Sequence, residues 1–222
     1  MTPLDPEPAW STLLRVALSL IRQVNSVETV IDHWTLGGDT AMMIQIDHRE
    51  SHDIDIFLPD PQLLAFLDPA RRDFALDGPP ADYRGDGATF LKWGFQNLGE
   101  IDFIVASSLT SQPATRRTVD GEAIMLETIP EIIAKKIYHR GSSIRPRDIF
   151  DIAAAGEAHE ASIIRELQPY RGEVSKALAA MDRLNPEFVS RAISQLAIKP
   201  QYEATARTAS DRAKDIMRAV TS

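Results

Sequence analysis

The sequence contains no cysteine. Disulfides, a thiolate nucleophile and thiolate-ligated metal centres are therefore excluded, and the absence fits a reducing cytoplasm. Histidine is also scarce, with 5 in 222 residues and no His/Cys cluster of zinc-binding spacing. No apolar run approaches the roughly 20 residues a membrane span requires, so no membrane partner is expected. The opening segment MTPLDPEPAW is acidic and proline-rich, without the basic-then-apolar order of a secretory leader, and a cytoplasmic protein is expected. There is no internal repeat and no low-complexity tract. Basic charge is in deficit: 24 Lys and Arg stand against 32 Asp and Glu, a net charge of -8. Phosphate neutralisation supplies most nucleic-acid affinity, so this balance argues against a general nucleic-acid binder.

The deficit is uneven. Most of the excess acid precedes Thr110, whereas the stretch carrying Arg116, Arg117, Lys135, Lys136, Arg140, Arg145 and Arg147 is locally basic. An acidic half beside a basic patch is compatible with a polyphosphate or an RNA end as ligand. The length suits one sizeable domain or two small ones packed together.

Periodicity divides the chain into two characters. An amphipathic helix is predicted over residues 11–23, with Leu13, Leu14, Ala17, Leu18 and Ile21 on one face. Strands are predicted over 30–36, ended by the Gly37-Gly38 turn, and over 53–57, closed by Pro59. One or two helical turns are expected over 40–46, a helix over 63–67 and a loop over 77–87. Strands over 88–97 and 100–106 should join at the turn 97–99, and Asp120-Gly121 carries the strongest hairpin signal in the chain. Beyond Leu126 the pattern is helical almost throughout. Thr128-Ile-Pro-Glu131 has the form of a capping box, Gly141 closes the helix that follows, and Pro146 suits the start of the next. Further helices are predicted over 161–167, 173–181, 186–196 and 201–219. The fold class read from this pattern is α/β (α+β). A mixed sheet flanked by helices should occupy residues 1–126, with a helical bundle packed against it over 127–222.

Three local patterns carry chemistry. Leu36-Gly37-Gly38 runs from a strand into a helix, so backbone N–H groups at the turn could meet phosphate oxygens; the same pair also serves as a plain tight turn. Asp53-Ile54-Asp55 puts two carboxylates on one side of a strand, with Cα atoms roughly 6.5 Å apart. Magnesium takes one or two carboxylates and completes its shell with water and substrate phosphates. A solvated strand face is the other reading of this pair. Asp102 lies within the apolar strand Glu100-Ile-Asp-Phe-Ile-Val-Ala106 and faces opposite to Ile101 and Phe103, so it is either exposed or in need of a partner.

The order of glycine pair, D-x-D and later lone acid resembles the polymerase-β-like nucleotidyltransferases. The residues between narrow the match. LGGDTAMMIQIDHRESHDIDIF resembles the signature of the AbiEii/AbiGii toxin family, the toxin halves of type IV toxin–antitoxin systems, with His48, Arg49, Ser51, Asp53 and Asp55 at matching positions. IPEIIAKKIYHRGSSIRPRDIFDIA resembles the family's second signature through Lys136, Arg140, Arg147, Asp148 and Asp151. The departures are Asp39, between the glycine pair and Thr40, and Asp47, where a glycine commonly precedes the histidine.

The resemblance implies an enzyme that moves a nucleoside monophosphate from an NTP to an acceptor hydroxyl, with tRNA as one possible acceptor and an antitoxin as protein partner. It implies a two-metal magnesium site on Asp53, Asp55 and Asp102, with Lys136 as a fourth catalytic residue. It assigns nucleotide contacts to Gly37, Gly38, Thr40, Arg49, Ser51, Arg140 and Asp148. Helical geometry places Lys136 and Arg140 on the inward side with Ile133 and Ile137, and turns Lys135 outward to a surface ion pair with Glu131. Asp148 also suits a helix N-terminus, Arg147 and Asp151 an intrahelical pair, and His48 a structural histidine. Two other readings of the same fold are a catalytically weak nucleotide- or partner-binding domain and a small-molecule, antibiotic-type nucleotidyltransferase.

Overall fold

The computed structural model describes residues 7–78 and 80–222. The chain divides into two compact units. The first comprises the chain up to Ala41, Ser51–Ser107 and Thr115–Leu126; the second comprises Met42–Glu50, Ser108–Ala114 and Glu127–Ser222.

The first unit is built on a seven-stranded mixed sheet. Helix α1 (Ala9–Val24) leads to β1 (Thr35–Gly37), α2 (Gly38–Ile46) and β2 (Ile54–Leu58). A 3-10 turn at Pro61–Leu63 enters the short α3 (Leu64–Leu67). Strands β3 (Asp82–Gly85), β4 (Phe90–Phe95), β5 (Gly99–Val105), β6 (Ala114–Val119) and β7 (Glu122–Glu127) follow. The spatial order is β3-β4-β5-β2-β1-β7-β6. β2 runs parallel to β5 and antiparallel to β1, while β4 is antiparallel to both β3 and β5.

Alternation decides which face of this sheet is wet. Ile54, Ile56, Leu58, Leu91, Trp93, Ile101 and Phe103 are buried on one face, where α1 packs on β2 and β5. The apolar stripe predicted for α1 supplies the opposing wall through Leu13, Leu14, Ala17, Leu18 and Ile21. Asp55, Lys92 and Asp102 fall on the other, half-buried face.

Two sequence expectations need correction. Residues 30–34 form no strand, and β1 begins only at Thr35. Asn25 accounts for the first two of these residues: its Oδ1 accepts from the Val30 and Ile31 amides, and its Nδ2 donates to the Ile31 carbonyl, so these groups are unavailable to a ladder. The loop expected over 77–87 contains β3, whose four residues are exposed but pair with β4 in register Tyr83↔Trp93. Pro79 in that stretch lies outside the described residues. The Asp120-Gly121 hairpin is present, with φ of 50° and 79° at the two turn residues as a type I′ turn demands.

The second unit is helical: α4 (Ile129–Arg140), α5 (Pro146–Leu167), α6 (Arg171–Arg183), α7 (Pro186–Ser194) and α8 (Glu203–Thr221). α5 is a single helix of 22 residues, where only its start and its end from 161 onward were expected. Gly156 permits this in a packed setting, because a Cβ there would stand 2.3 Å from Ile216 Cδ1 on α8. The capping box of α4 is half formed. Thr128 Oγ1 accepts from the Glu131 amide, but the Glu131 carboxylate accepts from the Leu109 and Thr110 amides and the Thr110 hydroxyl. Gly141 follows α4 with φ −51°, so it continues into a 3-10 turn instead of reversing the chain. Among the described residues, no helix is long and apolar enough to cross a membrane. An α/β sheet unit followed by C-terminal helices is thus the fold class expected from the sequence.

Candidate active site

The acids of the first unit lie on its polar sheet face. In the parallel β2–β5 ladder Asp55 is the register partner of Asp102. Neighbouring strands lie about 4.8 Å apart, so the two carboxylates leave the sheet side by side. Asp53 immediately precedes β2 and is exposed, and its Oδ1 accepts from the Glu100 amide at 2.9 Å. A Cβ at Gly99 would lie 2.9 Å from that oxygen, so the glycine at the head of β5, with φ 127°, makes room for Asp53.

Gly38 does the same for Asp55. It has φ 70°, and a Cβ there would stand 1.8 Å from Asp55 Oδ2. The glycine turn therefore serves two needs, a left-handed backbone and the close approach of a carboxylate to the first turn of α2. Thr40 is fully buried; its hydroxyl bonds the Asp53 carbonyl at 2.5 Å and the Ser51 hydroxyl at 2.9 Å. These bonds tie α2 to the segment that presents Asp53, so the structure gives Thr40 an internal role. Ser51 is half-buried.

The sequence reading missed Lys92. It is the antiparallel partner of Asp102 on β4, and its ammonium lies 3.0 Å from Asp102 Oδ2 and also bonds Glu100. The signal was present: Leu91-Lys-Trp93 alternates as Ile101-Asp-Phe103 does, and the turn at Asn97 to Gly99 sets the register that opposes them. Burial pushes the Asp102 carboxyl above its ordinary range, Lys92 pulls it back, and the Glu100 and Asp53 charges add to the rise. Burial lowers the Lys92 ammonium, but its bonds to Glu100 and Asp102 outweigh that and leave it raised.

Among the described residues, no three histidine, aspartate or glutamate side chains converge as a ready-made metal centre. The donors nevertheless suit magnesium, which needs only one or two carboxylates beside water and phosphate oxygens. Asp102 Oδ1 is buried with no hydrogen-bond partner among the described residues, an acceptor whose desolvation is uncompensated. Asp55 beside it in register, with Asp53 two residues earlier, completes the donors a divalent ion would use.

The remaining candidates form a separate network within the second unit. Asp151 on α5 is fully buried. It accepts from His48 Nε2 at 3.0 Å, Arg49 Nε at 2.8 Å, Arg49 Nη2 at 3.0 Å and Lys136 Nζ at 2.9 Å. Burial alone would raise its carboxyl, but the charges of Lys136 and Arg49 and the bonds from His48 and Arg49 hold it well below the ordinary range. Lys136 also donates to Asp148 Oδ1 at 3.1 Å, while Asp148 Oδ2 accepts from the Arg145 amide at the start of α5. Asp148 is therefore both a helix-terminal acceptor and a lysine partner. Arg140 Nη1 stands 3.6 Å from Asp148 Oδ1, with its side chain 38 % exposed.

Lys135 corrects another expectation. It is buried, 2.5 Å from Glu127 and 3.6 Å from Glu131, so its ion pair lies inside the unit and not on the surface. His48 is buried against Phe150, with ring centroids 5.8 Å apart, and Tyr202 meets its edge. The C-terminal segment, which carries no motif, holds this stretch in place. The Lys199 amide donates to the His48 carbonyl, the Glu50 amide to the Ala197 carbonyl, and Gln201 Nε2 to the Asp47 carbonyl. Asp47 has φ 47°, a left-handed backbone state that glycine would adopt at less cost.

Comparison with known proteins bears on the fold and the family. No curated protein matches the chain. A crystal structure of a proposed nucleotidyltransferase from H. pylori superposes with a TM-score of 0.51 at 13 % identity, covering 97 % of this chain and 96 % of that one. A second, of JHP933 from Helicobacter pylori, gives 0.47 at 12 % identity over 94 % and 90 %. At such identities the first likeness bears on the fold alone, and the second is too loose to carry an argument. The sequence itself decides: residues 19–222 match the family described as nucleotidyl transferase AbiEii toxin, type IV TA system. The chain belongs to the AbiEii nucleotidyl transferase toxin family of type IV toxin–antitoxin systems.

Proposed function

We propose that the protein transfers a nucleoside monophosphate from an NTP to an acceptor hydroxyl, releasing pyrophosphate, with magnesium held by Asp53, Asp55 and Asp102. The observation that carries this reading is the register of β2 on β5, which sets Asp55 beside Asp102 on the half-buried face with Asp53 one step before the strand. Bound divalent ions would supply stabilisation of charge on the attacking and leaving oxygens of an in-line displacement.

The chain's own residues do the rest. Gly37, Gly38 and Ser51 are the proposed phosphate contacts, at the start of a nine-residue helix whose N-terminal amides favour anions. Asp102, on the half-buried face beside Asp55, is the proposed acceptor of the hydroxyl proton. Lys136 and Arg49, to which the family resemblance gives phosphate charge, are buried on Asp151 within the second unit, and no phosphate contact is proposed for them. Arg140, more exposed than either, is the proposed contact for an RNA end, tRNA being the acceptor class to test. A cognate antitoxin is the expected protein partner of a toxin in this family.

Incubation with each labelled NTP, magnesium and total tRNA, beside an Asp53→Ala/Asp55→Ala protein, tests the reading. Label on RNA that requires both acids is the expected result. Neither NTP binding nor transfer by the folded wild-type protein would refute it.

A further inference from the structure

The polar face of the sheet already carries a cation. Lys92 projects from β4 directly opposite Asp102, with its side chain only 18 % exposed. Its ammonium engages Asp102 Oδ2 at 3.0 Å and bonds Glu100, while Asp102 Oδ1 is buried and has no hydrogen-bond partner among the described residues. Asp55 lies in register on the next strand, and Asp53 is close enough for its charge to act on Asp102. Carboxylates gathered in this way repel one another and favour a positive charge among them.

We propose that Lys92 is the resident cation of the metal-free site and competes with the divalent metal for Asp102, so that metal binding requires its displacement. This inference rests on the nucleotidyltransferase reading of the same acids. Three observations support it. One oxygen of Asp102 is engaged by the ammonium while the other has no partner among the described residues, so a metal approaching Asp102 meets a carboxylate whose charge is partly offset. The lysine is a point charge on a flexible four-carbon stem, so it can leave without disturbing the β4–β5 ladder. Glu100, 41 % exposed, provides a second anchor, so Lys92 retains a counter-ion after releasing Asp102. Lys92 would hold the acids together in the absence of metal and weaken the affinity for metal alone.

The test is a titration of the full-length protein with Mn²⁺ in the absence of nucleotide, with free Mn²⁺ read by electron paramagnetic resonance. Wild type is compared with Lys92→Met, Lys92→Gln, Lys92→Arg and the Lys92→Met/Asp102→Asn double variant. An opposite charge at this distance commonly shifts a carboxylate equilibrium by about tenfold or more, so both neutral variants should bind Mn²⁺ about tenfold tighter. Lys92→Arg should stay near wild type, and the double variant should lose the gain. Lys92→Gln keeps a polar tip for Glu100 and carries the same test should Lys92→Met fail to fold. Unchanged or weaker binding in the folded neutral variants, with wild type still binding, overturns the inference and leaves the transferase reading intact. No Mn²⁺ binding by any folded protein overturns both.

Discussion

Replacing Asp151 by asparagine should destabilise the protein by about 3–5 kcal/mol, the cost of stranding buried charge. Asp151 is fully buried and accepts four hydrogen bonds, two on each oxygen. His48 Nε2 and Arg49 Nε address Oδ1, whereas Arg49 Nη2 and Lys136 Nζ address Oδ2. Asparagine has one carbonyl oxygen and one amide nitrogen. Either orientation turns its NH₂ toward one of these donor pairs, and two cations lose their shared counter-ion. Bonds to a charged group contribute roughly 1.5–3 kcal/mol each, but the full sum is not expected. Lys136 keeps Asp148 at 3.1 Å and Arg49 keeps the Glu50 carbonyl at 3.2 Å. Urea unfolding at neutral pH measures the loss, with Lys176→Ala at the exposed Glu173 pair as a control expected to cost no more than about 0.5 kcal/mol.

The same carboxylate gives a pH signature. Its folded pKa lies well below the ordinary value of 3.8, so in acid the unfolded chain takes up this proton first. The stabilisation is therefore complete above about 3.8 and is lost as pH falls through the folded value. The gap between wild type and Asp151→Asn should be constant from neutrality down to about pH 5 and narrow below about pH 3.8. A gap under about 1 kcal/mol at neutral pH, or one unchanged in acid, would refute the assignment of Asp151 as the charged centre of this network.

Gly38→Ala should cost about 1–3 kcal/mol from its backbone state and dislodge Asp55, whose Oδ2 lies 1.8 Å from the new Cβ position. Thermal melting and Mn²⁺ titration on one sample would reveal both effects, and a variant as stable as wild type would contradict the close approach. Thr40→Val should cost about 1–3 kcal/mol because the Asp53 carbonyl and Ser51 hydroxyl lose a buried partner; denaturant midpoints decide it. Gly156→Ala should overpack α5 against α8 by about 1–3 kcal/mol, and Ile216→Val, which removes the Cδ1 atom at 2.3 Å, should restore most of that loss. Equal melting temperatures for the single and double variants would rule out the contact.

Much of the fold was legible before the structure was known, for reasons local to the chain. The stripe of α1, the alternation of β2 and β5, the Asp120-Gly121 turn and Pro146 at the head of α5 all follow from steric preference and apolar spacing within a few residues. The errors arose where a distant group changed a local outcome. A side chain at position 25 occupied the backbone of 30–31, and a ladder with β4 made a strand of a composition that reads as loop. Lys135 was misplaced because the sequence offers Glu131 as its neighbour on the helix, whereas Glu127, from the end of β7, makes the shorter contact.

The candidate site divides in the same way. Residue types, their spacing and the facing of Asp55 and Asp102 were set by the sequence alone, because a strand repeats every two residues wherever it lies. Which strands become neighbours was decided only by the tertiary structure. Register put Asp55 beside Asp102 and placed Lys92 opposite it, and packing within the second unit brought His48, Arg49 and Lys136 onto one buried carboxylate. These pairings depend on backbone ladders and burial between segments tens of residues apart, and one-dimensional spacing carries no information about either.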